Sequence, residues 1–331
     1  MKFGPVQTQD AEGAILAHSV YVGTKRLRKG AALSQEDIAK LTDAGISEVI
    51  VAQLEDGDVP ENEAASQIAD GISNPQAAGL NSTSAFTGRV NLNAARSGVV
   101  RVDAAKISAL NSVNPMITIA TVPDHHLADA GTMLATIKII SFAVPREDVE
   151  KARFHISDAI SVHSPELKTA RLIVTELEGV RSEKGIQAIK DRLSRWDVEL
   201  TAIAHCPHAA ESLMAELNGC EEDLVLILTA SATSDINDIA PAAVVKAGGA
   251  IERFGMPVDP GNLLFIGGLA ASKVIGLPGC ARSPALNGTD WVLARVICGI
   301  DVSSNDIAAM GVGGLLKDIP TRPHPRSRKA K

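Results

Sequence analysis

Residues 223–238 read DLVLILTASATSDIND, an apolar run that passes directly into a loop of small and hydroxyl side chains. A short unbroken run of Leu, Val and Ile is typical of a strand that is buried on both faces. Downstream, Pro241, Val244 and Val245 fit a helix that ends at Gly248. The stretch therefore predicts one strand–loop–helix unit of an α/β sheet.

The same unit recurs before and after this stretch. Two more apolar strands, each with a following helix, are predicted from Ala170–Val174 with Ile186, Ile189 and Leu193, and from Lys273–Leu277 with Val292, Val296 and Ile297. Strands that alternate with helices form parallel sheets with helices on both faces. We therefore expect the fold class to be α/β, with a three-layer parallel-sheet domain over residues 166–318.

The earlier residues suggest two further regions. Residues 1–72 alternate short strands and helices, and Ser34 with Asp37 fits a capping box at the start of a helix. Residues 73–165 are rich in strand-like runs bounded by Pro and Gly, such as Met133–Val144, and form the predicted middle domain. Residues 319–331 are basic and proline-rich, and we expect them to be disordered.

The composition argues against several classes of protein. Aromatic residues make up 3% of the 331 residues and the net charge is −7, which disfavours nucleic-acid binding. No apolar run reaches the length of a membrane helix, and the first residues lack the pattern of a signal peptide. The four cysteines form no C-x-x-C pair. We expect a cytoplasmic protein that does not bind membranes.

Three loops of the last domain have compositions suited to an anionic ligand. They are Thr229-Ala230-Ser231-Ala232-Thr233-Ser234-Asp235, Val258-Asp259-Pro260-Gly261-Asn262 and Leu277-Pro278-Gly279-Cys280-Ala281-Arg282-Ser283-Pro284. Ligands of open parallel sheets bind outside the carboxyl ends of the strands, and helix N-termini favour anions. For the first loop alone, a solvated helix-capping loop is the favoured interpretation. Together, the three loops favour a shared anion site.

The third loop carries the most specific expectations. Pro278 and Gly279 predict a turn in which glycine permits a positive φ or close approach of a ligand. Ser283 followed by Pro284 fits the first residues of a helix. Arg282 can offer a forked cation to a phosphate, and Cys280 lies on the same exposed side, as a reactive thiol or simply as a small residue.

These loops, in this order, resemble the molybdopterin-binding domain of molybdenum-cofactor biosynthesis proteins, the MogA, MoeA and gephyrin group. That group shows a T-G-G-x-S/G-x-G-x-x-D loop, a K-P-G-K-P turn and an L-P-G-N-P loop after equivalent strands. The resemblance covers residues 168–300, and residues 57–65 look like the N-terminal region of a MoeA-like subgroup. It implies a Mog-type domain in a MoeA-like, oligomeric transferase of molybdenum-cofactor biosynthesis.

The resemblance also implies the ligand and its contacts. The ligand would be molybdopterin, a pterin phosphate, or its adenylylated form, with molybdate and Mg²⁺ as further ligands. The implied cofactor-binding residues are Thr229, Ser231, Thr233, Ser234, Asp235, Pro260, Gly261, Pro278, Gly279, Cys280, Arg282 and Ser283. Implied partners are a molybdoenzyme or a nucleotidyltransferase, together with further copies of the chain.

The sequence departs from the family pattern where catalysis is concerned. Ala230 and Ser231 replace two glycines, and Cys280 replaces an asparagine. The early T-G-D/E-E motif is reduced to Thr175-Glu176-Leu177-Glu178, so Glu176 and Asp235 are the candidate catalytic residues, with Glu178 as a substitute for Glu176. The resemblance supports binding better than catalysis, and a molybdopterin molybdotransferase activity is one of two alternatives.

Two histidine-containing stretches have metal-ligand residue types in incomplete sets. They are His205-Cys206-Pro207-His208 and Asp124-His125-His126. Neither has a further ligand at a recognisable spacing, so polar loops are the favoured interpretation and no metal site is predicted. The function hypotheses are therefore an enzyme-like holder of molybdopterin, a non-catalytic carrier of the finished cofactor, and, less well supported, a nucleotide-binding regulator.

Overall fold

The computed structural model describes residues 1–72, 74–178, 183 and 185–316. It divides into two compact units, Met1–Arg96 with Val100–Val162 (unit 1), and Ser97–Val99 with the described residues from His163 onward (unit 2). The division into domains at residues 72 and 165 stays a prediction. The tail predicted to be disordered, residues 319–331, lies outside the described residues.

The elements up to residue 163 are mostly short strands. The strands are β1 (Lys2–Gln7), β2 (Ile15–Leu16), β3 (Val20–Val22), β4 (Lys25–Leu27), β5 (Glu48–Gln53), β6 (Asp58–Pro60), β7 (Leu80–Ser82), β8 (Arg89–Ala94), β9 (Gly98–Val102), β10 (Ile117–Thr121), β11 (Leu127–Ala128), β12 (Met133–Ile139), β13 (Ala143–Pro145) and β14 (Ile160–His163). The helices are α1 (Gln35–Asp43), α2 (Glu61–Ala69), α3 (Pro75–Ala78), α4 (Ala104–Val113) and α5 (Arg146–Ile156).

Unit 1 contains two hydrophobic cores. The first lies around the antiparallel sheet β1-β5-β2 and includes Leu16, Leu41 and Val51, all fully buried. Its helix α1 begins at the predicted capping box, because the Ser34 hydroxyl accepts from the Asp37 backbone and the Asp37 carboxylate accepts from the Ser34 backbone. In the second core, α2 and α4 contact the sheet β10-β12-β8-β7, and α5 contacts α2 and α4.

Unit 2 contains the predicted α/β sheet. Its elements are β15 (Thr169–Glu176), α6 (Ile186–Ser194), β16 (Glu199–Pro207), α7 (Ala210–Leu217), β17 (Leu224–Leu228), α8 (Ile239–Lys246), β18 (Ala250–Phe254), β19 (Phe265–Leu269), β20 (Ser272–Leu277), α9 (Gly288–Ile297) and α10 (Ser304–Ala309). The strand order is β16-β15-β17-β20-β19-β18. β15, β16, β17 and β20 are parallel, which confirms the expected mostly parallel sheet.

The sheet is buried on both faces. Ile173, Val225 and Val274 form one core cluster with α7 and α8. Because successive side chains of a strand point to opposite faces, the equally buried Leu172 and Leu226 lie on the other face. This double burial explains why the strands read as continuous apolar runs in the sequence.

Unit 2 differs from the sequence-based expectation in two places, at one edge of the sheet and at the start of one helix. β19 runs antiparallel to β20, and β18 antiparallel to β19. The predicted helix start at Ser283-Pro284 is wrong. Helix α9 begins after Asn287, whose side chain accepts from the Thr289 backbone at 3.0 Å within a capping box closed by Asp290.

The described helices are short and mostly amphipathic. None of those in the described ranges combines the length and apolar character that crossing a bilayer requires.

Candidate functional site

The three predicted loops lie at one edge of the unit 2 sheet. β17 and β20 are parallel neighbours, so their carboxyl ends, at Leu228 and Leu277, are adjacent. The connection between β18 and β19 reaches the same edge, because Phe254 pairs with Phe265 and Phe265 pairs with Gly276 near the end of β20. The loops carrying Thr229, Pro260 and Pro278 are therefore gathered where α/β sheets bind ligands.

The loop from β17 to α8 is shaped by its own side chains. The Thr229 hydroxyl donates to the Ser231 carbonyl at 2.6 Å, and it lies 3.4 Å from the hydroxyl of the buried Thr233. At the helix start, Asp238 accepts from the Ser234 backbone at 2.9 Å and from its neighbour Ile239 at 2.8 Å. These bonds hold an otherwise exposed segment in a defined path.

This path leaves a set of backbone donors without acceptors. Among the described residues, no hydrogen-bond acceptor is found for the backbone N–H groups of Ser231, Ala232, Thr233, Asp235 and Ile236. The exposed Ser231 adds a side-chain hydroxyl beside them. Backbone N–H groups and hydroxyls next to a helix start are the donors that bind phosphate oxygens. The donor set is suited to a phosphate group.

Asp235 has a capping role in this loop. Its Oδ1 accepts from the Asn237 backbone at 2.8 Å and from the Asn237 side-chain amide at 2.9 Å. The carboxylate is exposed at the turn. The second candidate catalytic residue, Glu176, has a different partner, His205.

Arg282 connects the first and third loops. Its Nη2 donates to the Thr229 carbonyl at 2.9 Å, across 53 residues of sequence. The side chain is half-buried, and this burial lowers the pKa of the guanidinium from its ordinary value. Arginine stays charged after such a shift, so the cation lies directly beside the loop whose N–H donors lack acceptors among the described residues.

The turn before Arg282 is a short 3₁₀ helix, Gly279–Arg282, that begins after the buried Pro278. Gly279 is exposed and does not have a positive φ. A Cβ built on Gly279 would meet nothing within 4 Å. The fold therefore does not require glycine here, and the positive φ considered from the sequence is not present.

The third loop is held in place by an arginine that the sequence analysis did not identify. Arg192, on α6, is buried and donates from Nη1 to the Ala281 carbonyl at 2.9 Å and from Nη2 to the Ser283 carbonyl at 2.8 Å. Nη2 also lies 3.2 Å from the Ala285 carbonyl, and Nε pairs with Asp290 at 2.7 Å. We call this set of contacts the Arg192 clamp.

Pro260 and Gly261 of the second loop are buried against the start of α9. Gly288 donates its backbone N–H to the Pro260 carbonyl at 2.8 Å. Gly261 has φ +150°, and a Cβ there would lie 3.0 Å from the Gly288 Cα. The close approach of these two backbone segments therefore needs glycine. In the structure these two residues position the helix that follows the third loop.

A cavity of about 530 Å³ adjoins the ends of β15 and β16, lined by Glu176, Leu177, Glu178 and His205 to His208. β16 continues to Pro207, so His205 and Cys206 are strand residues, which corrects the loop predicted for this stretch. Glu176 Oε1 lies 2.8 Å from His205 Nδ1. An ionised carboxylate only accepts hydrogen bonds, so Nδ1 carries a proton, and Nε2 is an acceptor in the neutral form of the ring.

The second histidine of this cavity is fixed by a threonine. The Thr175 hydroxyl is fully buried, accepts from the Ala230 backbone at 2.9 Å and lies 2.8 Å from His208 Nδ1. With no other acceptor among the described residues, the hydroxyl proton goes to Nδ1. We therefore assign the proton of a neutral His208 to Nε2, which makes this atom a donor and gives His205 and His208 opposite roles.

The cysteines near the edge differ in environment. Burial, with smaller effects from the charges of Glu216 and Glu176, raises the pKa of the Cys206 thiol to about 11. Cys206 is therefore an uncharged thiol at neutral pH. Cys280 is only half-buried and lies in the third loop.

The other histidine stretch lies in unit 1, outside this site. Asp124 accepts from the Val102 backbone at 2.9 Å and contacts Arg101 at 3.4 Å and His125 at 3.0 Å. Within the described part of the chain, no three His, Cys, Asp or Glu side chains come together in a group that could hold a metal ion.

The comparisons with known proteins give one family and several solved structures. Residues 5–53 match a family described as a domain of unknown function (DUF8806). No curated protein matches the sequence. A structure of the molybdopterin biosynthesis MoeA protein from Pyrococcus horikosii is similar at 14% identity and a TM-score of 0.32, over 90% of this chain and 75% of that one.

Two further structures are also of proteins of molybdenum cofactor biosynthesis. Molybdenum cofactor biosynthesis protein B matches at 15% identity and a TM-score of 0.28, over 40% of this chain and 88% of that one. A molybdenum cofactor biosynthesis protein from Pyrococcus furiosus matches at 13% identity and a TM-score of 0.25, over 91% of this chain and 66% of that one. At these identities and scores, function is argued from this chain's own residues.

The cap of α8 gives a pH-dependent prediction. Hydrogen bonds from the Ser234 and Ile239 backbones lower the pKa of the Asp238 carboxyl. A depressed pKa stabilises the fold above the unfolded-state pKa, and this stabilisation is lost as pH falls through the folded value. Asp238→Ala should lower the free energy of unfolding by about 1 kcal/mol at pH 7. Urea titrations should show the difference shrinking below about pH 4, while Asp238→Asn, which still caps, stays closer to wild type.

Proposed function

We propose that the protein binds molybdopterin, or its adenylylated form, at the carboxyl edge of the unit 2 sheet. The observation that carries the proposal is the set of backbone N–H groups of Ser231 to Thr233, Asp235 and Ile236, which find no acceptor among the described residues. Arg282 is bonded to the Thr229 carbonyl beside them. The donors would take the phosphate, and the guanidinium would add a permanent charge.

The cavity at Glu176, His205 and His208 supports a place for the rest of the ligand. Thr175 links this cavity to the phosphate loop, because its hydroxyl contacts both the Ala230 backbone and His208. His208 Nε2 is a donor, while His205 Nε2 is an acceptor when the ring is neutral. Groups of both kinds suit the edge of a pterin ring, which has both donors and acceptors.

One observation favours the second candidate, a carrier that binds the cofactor without inserting metal. Asp235, a candidate catalytic residue, accepts two hydrogen bonds from Asn237 and thereby shapes its own loop. In the carrier alternative, finished cofactor passes to a molybdoenzyme or a nucleotidyltransferase. In the enzyme alternative, the protein is a molybdotransferase, molybdate is a substrate, and Glu176 and Asp235 act near it. Assembly as a homo-oligomer belongs to both proposals.

The test is equilibrium binding of molybdopterin, with the bound pterin measured as the fluorescence of its oxidised product. Gly279→Val should weaken binding about tenfold or more because the new side chain blocks close approach of the phosphate. Since the fold has open space at this Cβ, the unfolding midpoint should not change. Gly4→Val, which has equally open space in unit 1, is the matched control.

Three outcomes decide between the alternatives. Equal affinity of Gly279→Val and wild type would remove the third loop from the site. A wild-type protein that binds 6-hydroxymethylpterin as tightly as molybdopterin would exclude the phosphate contact. If molybdate and molybdopterin together yield active cofactor, the enzyme is supported, whereas tight binding without active product supports the carrier.

A further inference from the structure

Unit 1 contains a cavity of about 970 Å³ between β1 and the segment that follows β12. The residues used below are Phe3, His18, Lys29, Met116, Ile140 and Phe142, which line it. Its volume is in the range of small-molecule sites. We call it the unit 1 cavity.

One wall of the unit 1 cavity is apolar and exposed. Phe3 is 58% exposed, Ile140 57% and Met116 40%. The three come from separate segments and meet at one concave surface. Contiguous exposed apolar surface of this kind marks binding sites in folded proteins.

The carboxylates that line the unit 1 cavity, Asp58 and Glu61, each form an ion pair with a cation. Asp58 Oδ2 lies 2.7 Å from the amine of Met1 and also accepts from the Glu55 backbone at 2.8 Å. Glu61 Oε2 lies 3.8 Å from Lys138 Nζ. These carboxylates therefore add little net negative charge to the cavity.

Lys29 and His18, which also line the cavity, have no carboxylate partner among the described residues. Lys29 is exposed, and its Nζ lies 5.7 Å from the centroid of the Phe142 ring. His18 is exposed as well. In the described ranges, no carboxylate lies within 4.0 Å of either side chain. An uncompensated lysine beside an apolar wall attracts an anion that also has an apolar part.

We propose that the unit 1 cavity binds an organic anion with an apolar body, such as an aromatic or aliphatic carboxylate or sulfonate. The head group pairs with Lys29, with His18 as a second donor. The body covers Phe3, Met116 and Ile140 and removes their exposed surface from water. This site is separate from the pterin site and does not depend on it.

The probe is 8-anilinonaphthalene-1-sulfonate, which fluoresces when its ring enters an apolar site. The expected result is saturable binding of one probe per chain. Lys29→Glu should weaken it about tenfold, because an attraction becomes a repulsion. The uncharged N-phenyl-1-naphthylamine should lose no affinity in this variant. Ile140→Asp should weaken both probes, since it places a charge on the apolar wall.

The matched controls lie elsewhere on the chain. Phe154 is 77% exposed but does not line the cavity, and Lys190 is an exposed lysine of unit 2. Phe154→Ala and Lys190→Glu should leave both affinities unchanged. Because the sulfonate probe also binds partly unfolded chains, unfolding midpoints of all variants are measured beside the titrations.

The proposal fails if Lys29→Glu and Ile140→Asp, both folded, bind the sulfonate probe as wild type does. It also fails if the controls lose as much affinity as these variants, since the probe then binds elsewhere. Displacement of the probe by molybdopterin would contradict a separate site. Failure of the pterin-binding test leaves the probe experiment unaffected.

Discussion

Replacing Arg192 by methionine should lower the free energy of unfolding by about 3 to 5 kcal/mol, because the variant leaves a largely buried carboxylate without its cation. Asp290 is only 17% exposed at its side chain and pairs with Arg192 Nε at 2.7 Å. The carbonyls of Ala281 and Ser283 also lose their donors. Methionine retains the packing volume, so the loss reports the polar contacts. Chemical denaturation at neutral pH measures it.

Lys190→Met is the matched control for this measurement. Lys190 is exposed on the same helix, and a surface substitution of this kind changes stability by less than about 0.5 kcal/mol. A similar small change for Arg192→Met would show that the clamp contributes no net stability. Asp290→Asn, made in the Arg192→Met background, should restore part of the lost stability because it removes the unpaired charge.

Phe265→Ala should destabilise unit 2 by a similar amount, about 3 to 5 kcal/mol, because it empties a large volume of the core. Phe265 is 1% exposed and belongs to the cluster that α7 and α8 form with the sheet. Its ring lies over Gly276 on the neighbouring strand, where a Cβ would overlap the ring carbons Cε1, Cδ1 and Cζ. The two residues therefore share one space.

This shared space can be tested by a double-mutant cycle. Gly276→Ala alone should cost about 1 to 3 kcal/mol through overpacking. In the Phe265→Ala background the same change should cost far less, because the methyl enters the vacated volume. Gly268→Ala is the control, since a Cβ there would be 3.6 Å from its nearest neighbour, the Ser272 carbonyl. Additive effects of the first two substitutions would contradict the overlap.

Features set by local spacing could be predicted from the sequence. The capping box at Ser34 and Asp37 needs only residues three apart, and the buried strand Leu224–Leu228 needs only an apolar run. The mostly parallel sheet followed from repetition of that unit. These rules use no information about distant parts of the chain, and the structure confirms them.

The start of α9 shows where local rules stop. Ser283-Pro284 and Asn287 with Asp290 are both acceptable helix starts by sequence. The Arg192 clamp bonds the carbonyls of Ser283 and Ala285 across about ninety residues, and the chain becomes helical only after it. A contact of this range leaves no periodic signal near the helix itself.

The same limit applies to the candidate site. Glu176 meets His205 because of the register of β15 on β16, in which Val174 pairs with His205. The orientation of β18 and β19 likewise depends on the path of the connecting loop. The sequence shows the loop compositions at Thr229 and Gly279, but it could not predict the contact between Thr175 and His208, which depends on how the strands pair.

The Arg192 clamp holds the third loop through main-chain carbonyls. A main-chain carbonyl is the same group whichever side chain its residue carries. None of the clamp's bonds uses the side chain of Cys280 or Ser283, whereas the Arg282 side chain bonds the loop to the Thr229 carbonyl. Exchange of Cys280 and Ser283 should alter which anion is accepted while the loop keeps its course. Under the proposed function, the clamp separates the shape of this loop from its selectivity, and a small library at these positions could be selected for new ligands without redesign of the scaffold.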